Sequence, residues 1–393
     1  MNEKTLINLT SQDDCLEWQV SEIQTLGDLV QYREEWETLL ANTPRSGFFD
    51  TYEWLNTWLE FFWKDRQIAF LLVRHGDTLV ALMPLISDES GEIWCRHTLA
   101  LPINSFATRA DLIGDNTTVD IIGAICSYLY ETRRTVCLGL KSVETTSSLL
   151  PALEQVARCQ QLRIQIWPSK ECLIVRIHGD WDDYVASRSK NVRRAIKRKR
   201  RKLDQAGVVQ WRTIASPDNS QAAMEDILRI ERRSWKEANK TSFTAVPGLA
   251  DFFGALSLRC ALRGWLRTFI LYLDNVPVAH IVGMVYRNEY YAMKMSFDEY
   301  YRDLSPGAVL VAYALEQAFA ARFRVFDFLG VPMRWKYELA NDVRQHVNVC
   351  VFTRECYHCR MCLFFENRVK PVIKNFLAFA TRPERESPNG LLE

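Results

Sequence analysis

The chain contains no stretch of about 20 apolar residues, the length needed to cross a bilayer, and Met1 to Thr10 carries no apolar core of signal-peptide size. A cytosolic location is expected from these two absences. An excess of charge is also missing, because 49 Lys and Arg stand against 48 Asp and Glu. That balance predicts no global pull on nucleic acid or membrane, so any such pull must be local. Nothing resembles a phosphate-binding Walker loop, a dinucleotide glycine fingerprint or a Ser/His/Asp elbow. Eleven cysteines, an odd number scattered through apolar segments, fit reduced buried thiols better than a disulfide framework. Cys356, Cys359 and Cys362, with His358 among them, have the spacing of one zinc knuckle. A second pair at that spacing is absent, so buried thiols on one helix face are expected and no metal.

What is present describes a well-packed protein: 48% hydrophobic residues, 25% charged and twelve tryptophans. At 393 residues the chain is long for one core and predicts two domains. The stretch Tyr290 to Gly330 organises the rest. Tyr290 to Phe297 has the two-residue rhythm of a half-buried strand. Pro306 and Gly307 then break it, Ala308 to Arg322 reads as a helix, and Arg324 to Leu329 as a short strand. Pro306 suits the first helical position and Ser305 the N-cap, with a hydroxyl free to accept a first-turn N–H. A helix start facing the carboxyl end of a strand is an anion site by virtue of its unpaired N–H groups and dipole; a pyrophosphate would suit it. A plain crossover with a capped helix would look the same.

Before this stretch, Trp18 to Ile23 reads as a strand, Leu26 to Leu40 as a helix, and Ile68 to Ile86 as a hairpin turning at His75-Gly76-Asp77. The second half opens with a strand at Cys172 to Ile177. Ten of the fifteen residues from Arg188 to Lys202 are Lys or Arg, with no acid among them. Val192, Ile196 and Leu203 give this segment a narrow apolar seam, so it is an amphipathic helix, with Gly207 as its expected stop. A solvated face, a polyanion site and a membrane-surface contact all remain open for it. The polyanion would be engaged by Arg193, Arg194, Lys197, Arg198 and Arg201, with Trp235 of the next helix, Ser220 to Asn239, as a further substrate contact. No aromatics interleave with the charges, which speaks against specific RNA readout. Strands Trp265 to Leu273, Val276 to Tyr286 and Tyr290 to Phe297 follow, and His346 to Phe352 is expected to add the last strand of this half.

Arg302-x-x-Ser305-Pro306-Gly307 resembles a degenerate form of the Q/R-x-x-G-x-G/A loop of GNAT-type acyltransferases. The run SPGAVL, with FDFLG and Trp335-Lys336 beyond it, is similar to the CelD-like and FemAB-like subgroup, as is FFDTYEWLNTW in the first half. The resemblance spans roughly residues 45 to 352, and the first loop glycine is replaced by Ser305. It implies an α/β fold of tandem GNAT-like halves with mixed sheets: residues 1–17 frayed, 18–170 a degenerate first domain, 171–352 the catalytic domain and 353–393 a helical tail. It implies N-acyl transfer from acyl-CoA to an amine such as an amino sugar or polysaccharide precursor, with Arg302, Ser305, Gly307 and Ala308 holding the CoA. Aminoacyl transfer from tRNA in the FemAB manner, or an inactive acyl-CoA- or glycan-binding accessory role, are the alternatives.

Three residues are candidates for chemistry. His280, mid-strand between Ala279 and Ile281, is a general base if its side faces the loop, and a core histidine otherwise. Asp327, flanked by Phe326 and Phe328, projects from the opposite face of its strand and needs a cationic partner such as Arg324 or Lys336, or an acceptor amine. Lys336 lies just beyond the end of that strand, where its ammonium would steady an oxyanion or an anionic group of the acceptor. A surface lysine beside a packed tryptophan is the plainer alternative.

Overall fold

The computed structural model describes residues 18–64, 66–87, 98–104, 109–114, 119–354, 356, 357 and 361. The proposed frayed start at 1–17, His358, Cys359, Cys362 and almost all of the helical tail lie outside them. The chain divides into two compact units, one running to Lys170 and resuming at Gln345, the other spanning Glu171–Arg344.

In the first unit, β1 (Trp18–Ile23), β2 (Phe70–His75) and β3 (Thr78–Met83) form an antiparallel sheet. Helices α1 (Leu26–Leu29), α2 (Arg33–Ala41) and α3 (Tyr52–Phe62) lie between β1 and β2 in the chain. Strands β4 (Ile86–Ser87), β5 (Thr98–Ala100), β6 (Cys137–Glu144) and β7 (Arg163–Pro168) belong to a second sheet, with α4 (Val119–Ser127) and α5 (Leu149–Cys159) as its helices. The apolar spacing of α5 buries Leu149, Leu153 and Val156 in one core with Leu138 and Leu140 of β6.

The second unit is built on a seven-stranded mixed sheet. Its strands are β8 (Cys172–Arg176), β9 (Val209–Ile214), β10 (Thr268–Leu273), β11 (Val276–Tyr286), β12 (Glu289–Phe297), β13 (Val325–Asp327) and β14 (Asp342–Arg344), in the order β14-β8-β13-β12-β11-β10-β9. β10, β11 and β12 are antiparallel neighbours, and β13 joins β12 in parallel, as the spacing predicts. Asp274 and Asn275 both take positive φ, 49° and 64°, which the two-residue turn between β10 and β11 requires. The basic segment forms α7 (Lys190–Asp204), after the short α6 (Trp181–Ser187). Gly207 does not end it; the helix stops at Asp204. A Cβ at Gly207 would stand 2.4 Å from a carboxylate oxygen of Asp274, whose other oxygen accepts the Val208 N–H. The glycine is needed for that close approach.

Two further expectations change. The long helix over Ser220 to Asn239 is two pieces, α8 (Pro217–Arg232) and α9 (Trp235–Ala238), because Ser234 takes an extended conformation and donates its hydroxyl to the Glu231 carbonyl at 2.8 Å. The last strand, β15 (His346–Phe352), does not belong to the second unit. It returns to the first, between β6 and β7, and completes a sheet of order β4-β5-β6-β15-β7. A β-rhythm states that a segment will pair, not with which sheet.

The remaining helices of the second unit are α10 (Leu249–Leu262), α11 (Pro306–Ala320) and α12 (Arg334–Leu339). α11 buries Leu310, Leu315 and Phe319 against Tyr290, Phe326 and Phe328 of the sheet. Each such side chain contributes about 1.5–3 kcal/mol on burial. Among the described residues no helix is long and apolar enough to cross a membrane.

Candidate active site

β12 and β13 pair only from Glu289–Val325 to Tyr291–Asp327. β13 ends there, while β12 continues to Phe297, so the two strands part on the side from which the chain runs toward α11. A 3-10 turn, Glu299–Leu304, leads to Ser305 and the helix. Pro306 takes the first helical position as expected, but Ser305 does not cap through its hydroxyl. It adopts the left-handed conformation, φ 53° and ψ 47°, and makes no side-chain cap bond. The loop thus keeps a glycine-like backbone without the glycine. Gly307 and Ala308 lie in the first turn, whose N–H groups have no partner within the helix. Arg302 is exposed and paired with Glu299.

A buried cluster of charge lies on the α8 side of the sheet. His280 is fully buried on β11, and its Nε2 lies 3.0 Å from Oε1 of Glu231 in α8. The other Glu231 oxygen accepts the Phe243 N–H at 3.0 Å and lies 3.8 Å from Nζ of Lys294. Lys294 reaches this face through a bulge: Val282 pairs with Lys294 and Gly283 with Ala292, leaving Met293 extra. Met295 and Phe297 consequently pack on the α11 side, and Lys294 and Ser296 point the other way. Lys294 also donates to the Thr241 carbonyl at 2.7 Å, and Lys236 of α9 donates to the Met295 carbonyl.

The electrostatics follow from that packing. Burial pushes the Glu231 carboxyl up, but the hydrogen bond from His280 and the ammonium groups of Lys236 and Lys294 outweigh it and hold it down at about 2. Burial lowers His280, against the pull of Glu231, so the imidazole is neutral near pH 7. With Glu231 ionised, Nε2 carries the proton and donates it, which leaves Nδ1 as the basic atom. Nδ1 and the hydroxyl of Ser296, its direct cross-strand neighbour, are both buried with no hydrogen-bond partner among the described residues. Burial brings Lys294 down to about 8, with Glu231 opposing and Lys236 adding to the shift.

Lys336 is buried too, not a surface lysine. Its Nζ donates to the carbonyls of Leu329 at 2.6 Å and Val331 at 3.0 Å, closing the turn at Gly330. Burial, partly offset by Asp327, lowers it to about 8. Asp327 does project opposite Phe326 and Phe328, but its first partner is Arg344 at 2.9 Å, and its other oxygen accepts the Leu329 N–H. Arg344 also binds Glu289, which pairs with Arg324. Lys336 therefore lies at the turn beyond the end of β13, Asp327 fixes that strand end, and His280 sits one strand away on β11, beside Ser296 of β12. On α7, Lys197 and Arg201 face a groove along α11, Arg194 and Arg198 stand exposed outside it, and Arg193 donates to the Ala186 carbonyl. Trp235 is 42% exposed at the start of α9. Glu231, Lys236, Lys294 and Ser296 escaped the sequence reading. The only local signal was a lysine between Met293 and Met295 in an otherwise apolar strand.

Residues 190–337, within the second unit, match the model of the acetyltransferase (GNAT) domain. No curated protein sequence gives a significant match. Among solved structures, FemX superposes with a TM-score of 0.58 at 9% identity, over 85% of this chain and 98% of its own. The C-terminal domain of a putative lysylphosphatidylglycerol synthetase from Agrobacterium fabrum gives 0.54 at 12% identity, over 86% and 96%. L-PGS from Bacillus licheniformis gives 0.52 at 11%, over 84% and 94%. These likenesses concern the fold.

Proposed function

We propose that the second unit transfers an acyl group from an acyl-CoA thioester to an amine, with an amino sugar or polysaccharide precursor as the acceptor class suggested by the CelD-like resemblance. The observation that carries the reading is the parting of β12 and β13 at the mouth of a proline-started helix, inside a GNAT-type domain. The first-turn N–H groups of Gly307 and Ala308 would receive the diphosphate, with Arg302 beside them. The left-handed Ser305 supports this fit, since it turns the chain as a glycine would.

In the reaction the acceptor nitrogen attacks the thioester carbonyl carbon and passes its proton to Nδ1 of His280, directly or through the Ser296 hydroxyl. The tetrahedral intermediate collapses with loss of the thiolate, which takes up a proton. Glu231 keeps His280 in the tautomer that exposes Nδ1. The charge of Lys336, held behind the Leu329–Val331 turn, favours the oxyanion electrostatically, and Asp327 keeps that turn in place. Orientation and a fixed base together supply the catalysis.

The second reading is aminoacyl transfer from tRNA, favoured by a basic helix tied directly to the loop: Nζ of Lys202 donates to the Asp303 carbonyl at 2.7 Å. The deciding experiment incubates the full chain with a panel of acyl-CoAs and amino sugars and measures thiol release, and in parallel follows deacylation of charged tRNA. Amine-dependent thiol release is expected. Consumption of charged tRNA alone would transfer the assignment to the second reading, and CoA binding without any turnover would leave an inactive binding protein.

A further inference from the structure

We propose that Cys137 and Cys350 form a reversible dithiol–disulfide couple, with Cys356 as the thiol through which a small-molecule disulfide exchanges with it. The site lies in the first unit and is independent of the acyl-transfer reading.

The two cysteines meet across the strand pair β6 and β15. Cys137 stands opposite Phe352 and Cys350 opposite Gly139, so they are diagonal neighbours on one face of the sheet. Gly139 has no side chain to fill the place facing Cys350, and the Cys350 thiol reaches across to Cys137. Their Sγ atoms are 3.0 Å apart and both residues are fully buried. A disulfide bond is about 2.05 Å long, so a closure of about 1 Å joins them.

Strand alternation sets this pair apart from the main core. Leu138, Leu140, Val349 and Val351 belong to the large core of the unit, whereas Cys137, Cys350 and Phe352 form a small separate cluster. Val136, Trp167 of β7 and Cys356 pack against that cluster. The cover is thin, because Cys356 is part-exposed and Tyr357 after it is 73% exposed. The zinc-knuckle spacing that begins at Cys356 has no second pair in the sequence; the fold sets Cys356 beside a thiol pair instead. Among the described residues no group of His, Cys, Asp and Glu is arranged to hold a metal ion.

The exchange balances with a small disulfide as oxidant. The Cys356 thiolate attacks one of its sulfurs, forms a mixed disulfide and releases one small thiol. One thiolate of the pair then attacks the Cys356 sulfur and releases the second small thiol. The other attacks its neighbour's sulfur, which forms Cys137–Cys350 and returns Cys356 as a thiol. Two protein thiols are oxidised and one small disulfide is reduced to two thiols; an excess of the small thiol runs the sequence backwards. The bond joins residues 213 apart in sequence, with the whole of Glu171–Arg344 between them. A link across so long a loop restricts the unfolded chain strongly, so oxidation locks β15 into the sheet of the first unit.

The test exposes the full chain, reduced and under native conditions, to mixtures of oxidised and reduced glutathione. Thiols are then alkylated and the linkages mapped by peptide mass spectrometry. One linkage, Cys137–Cys350, should rise with the proportion of oxidised glutathione and disappear when that proportion is reversed. Cys356→Ala should slow its formation at least about tenfold at unchanged final extent, since the buried pair loses its accessible partner. Cys260→Ala, which removes a buried thiol of the second unit, should change neither rate nor extent. Oxidised wild type should melt at a higher temperature than reduced wild type, and Cys350→Ala should show no such difference. The wild-type map decides the pairing even where a variant folds poorly. No linkage at any ratio, or linkages scattered over several cysteines, overturns the proposal. An unchanged rate in Cys356→Ala overturns the entry role. Stoichiometric zinc in the chain as purified, released when Cys137 and Cys350 are alkylated, would make them metal ligands and also overturns it.

Discussion

The two units wrap mixed sheets around apolar cores of similar make-up, yet they treat charge differently. Among the described residues of the first unit, Glu53 and His346 are the charged or histidine residues buried as a whole, with the Glu22 side chain 4% exposed and the Asp111 carboxyl pushed up to about 7 by burial. The second unit buries Lys199, Glu231, His280, Glu289, Lys294, Asp298, Asp327 and Lys336. Burying an ion costs several kcal/mol unless partners compensate it, and an apolar replacement of like volume is often no less stable. Stability alone therefore gives no reason for the second pattern. Four of these residues, Glu231, His280, Lys294 and Lys336, lie where β12 leaves β13 or on the face beside it, while Glu289 and Asp327 share Arg344 at the paired end. The comparison separates a unit that buries a few scattered charges from one that gathers several around a single strand pair.

The sharpest way to break that contrast is to remove one buried ionisable group from each unit. His280→Ala should lower kcat about 10²- to 10⁴-fold, the usual worth of a general base, with donor KM little changed. Glu53→Gln, whose carboxylate pairs with Arg33 in the first unit, should leave kcat within about twofold, because a part-exposed ion pair contributes little. Equal losses in steady-state assays of the two variants, corrected for folded fraction, would erase the distinction.

A smaller effect is expected at Lys336. Lys336→Met should lower kcat at least about tenfold, or about 1.4 kcal/mol of transition-state stabilisation, with CoA affinity held within about a factor of three. It should also cost stability, since the Leu329 and Val331 carbonyls lose their donor, the first of them buried. The pH profile provides a second readout. Lys294 and Lys336 are charged below about pH 8 and neutral above it, so wild-type kcat should fall as pH rises through about 8. Stability moves the other way. Between about 8 and 10.5 the unfolded chain binds more protons at these two lysines than the folded one, so their contribution to stability rises with pH. Falling activity with a steady or rising melting temperature would identify titration; a fall in both would identify unfolding. In Lys336→Met the alkaline limb should be shallower.

The least effect is expected at Ser305. A side chain in the left-handed region costs about 1 kcal/mol that glycine avoids, although glycine gives back part of this as unfolded-state entropy. Ser305→Gly should raise stability slightly in thermal melts and keep or tighten CoA binding. A loss of CoA binding would show that the hydroxyl itself, not the backbone turn, serves the loop.

The central strand, loop, helix and strand were legible because a two-residue rhythm, Pro306-Gly307 and an uninterrupted helical run each declare themselves locally. The conformation of Ser305 was not, since serine is ordinarily a side-chain cap and only the tertiary turn forces it left-handed. The charge cluster was invisible for a different reason. Glu231 and Lys294 are far apart in sequence and meet through strand pairing and the bulge at Met293, which reverses the face that Lys294 presents. His280 could be named as a candidate, but its orientation depended on Glu231. Asp327 declared its need of a cation, and Arg344 met it.

The return of β15 bears on how the chain acquires its structure. The strand that seats between β6 and β7 is made only after the whole of Glu171–Arg344 has been synthesised. On a ribosome the inner segment can mature first, while β6 and β7 wait with open edges. Unfilled edges of this kind invite pairing with other chains. The early unit is thus the later one to finish, and a chain cut after Arg344 would keep the residues of the charge cluster yet expose two sticky edges, aggregating before its chemistry could be assayed.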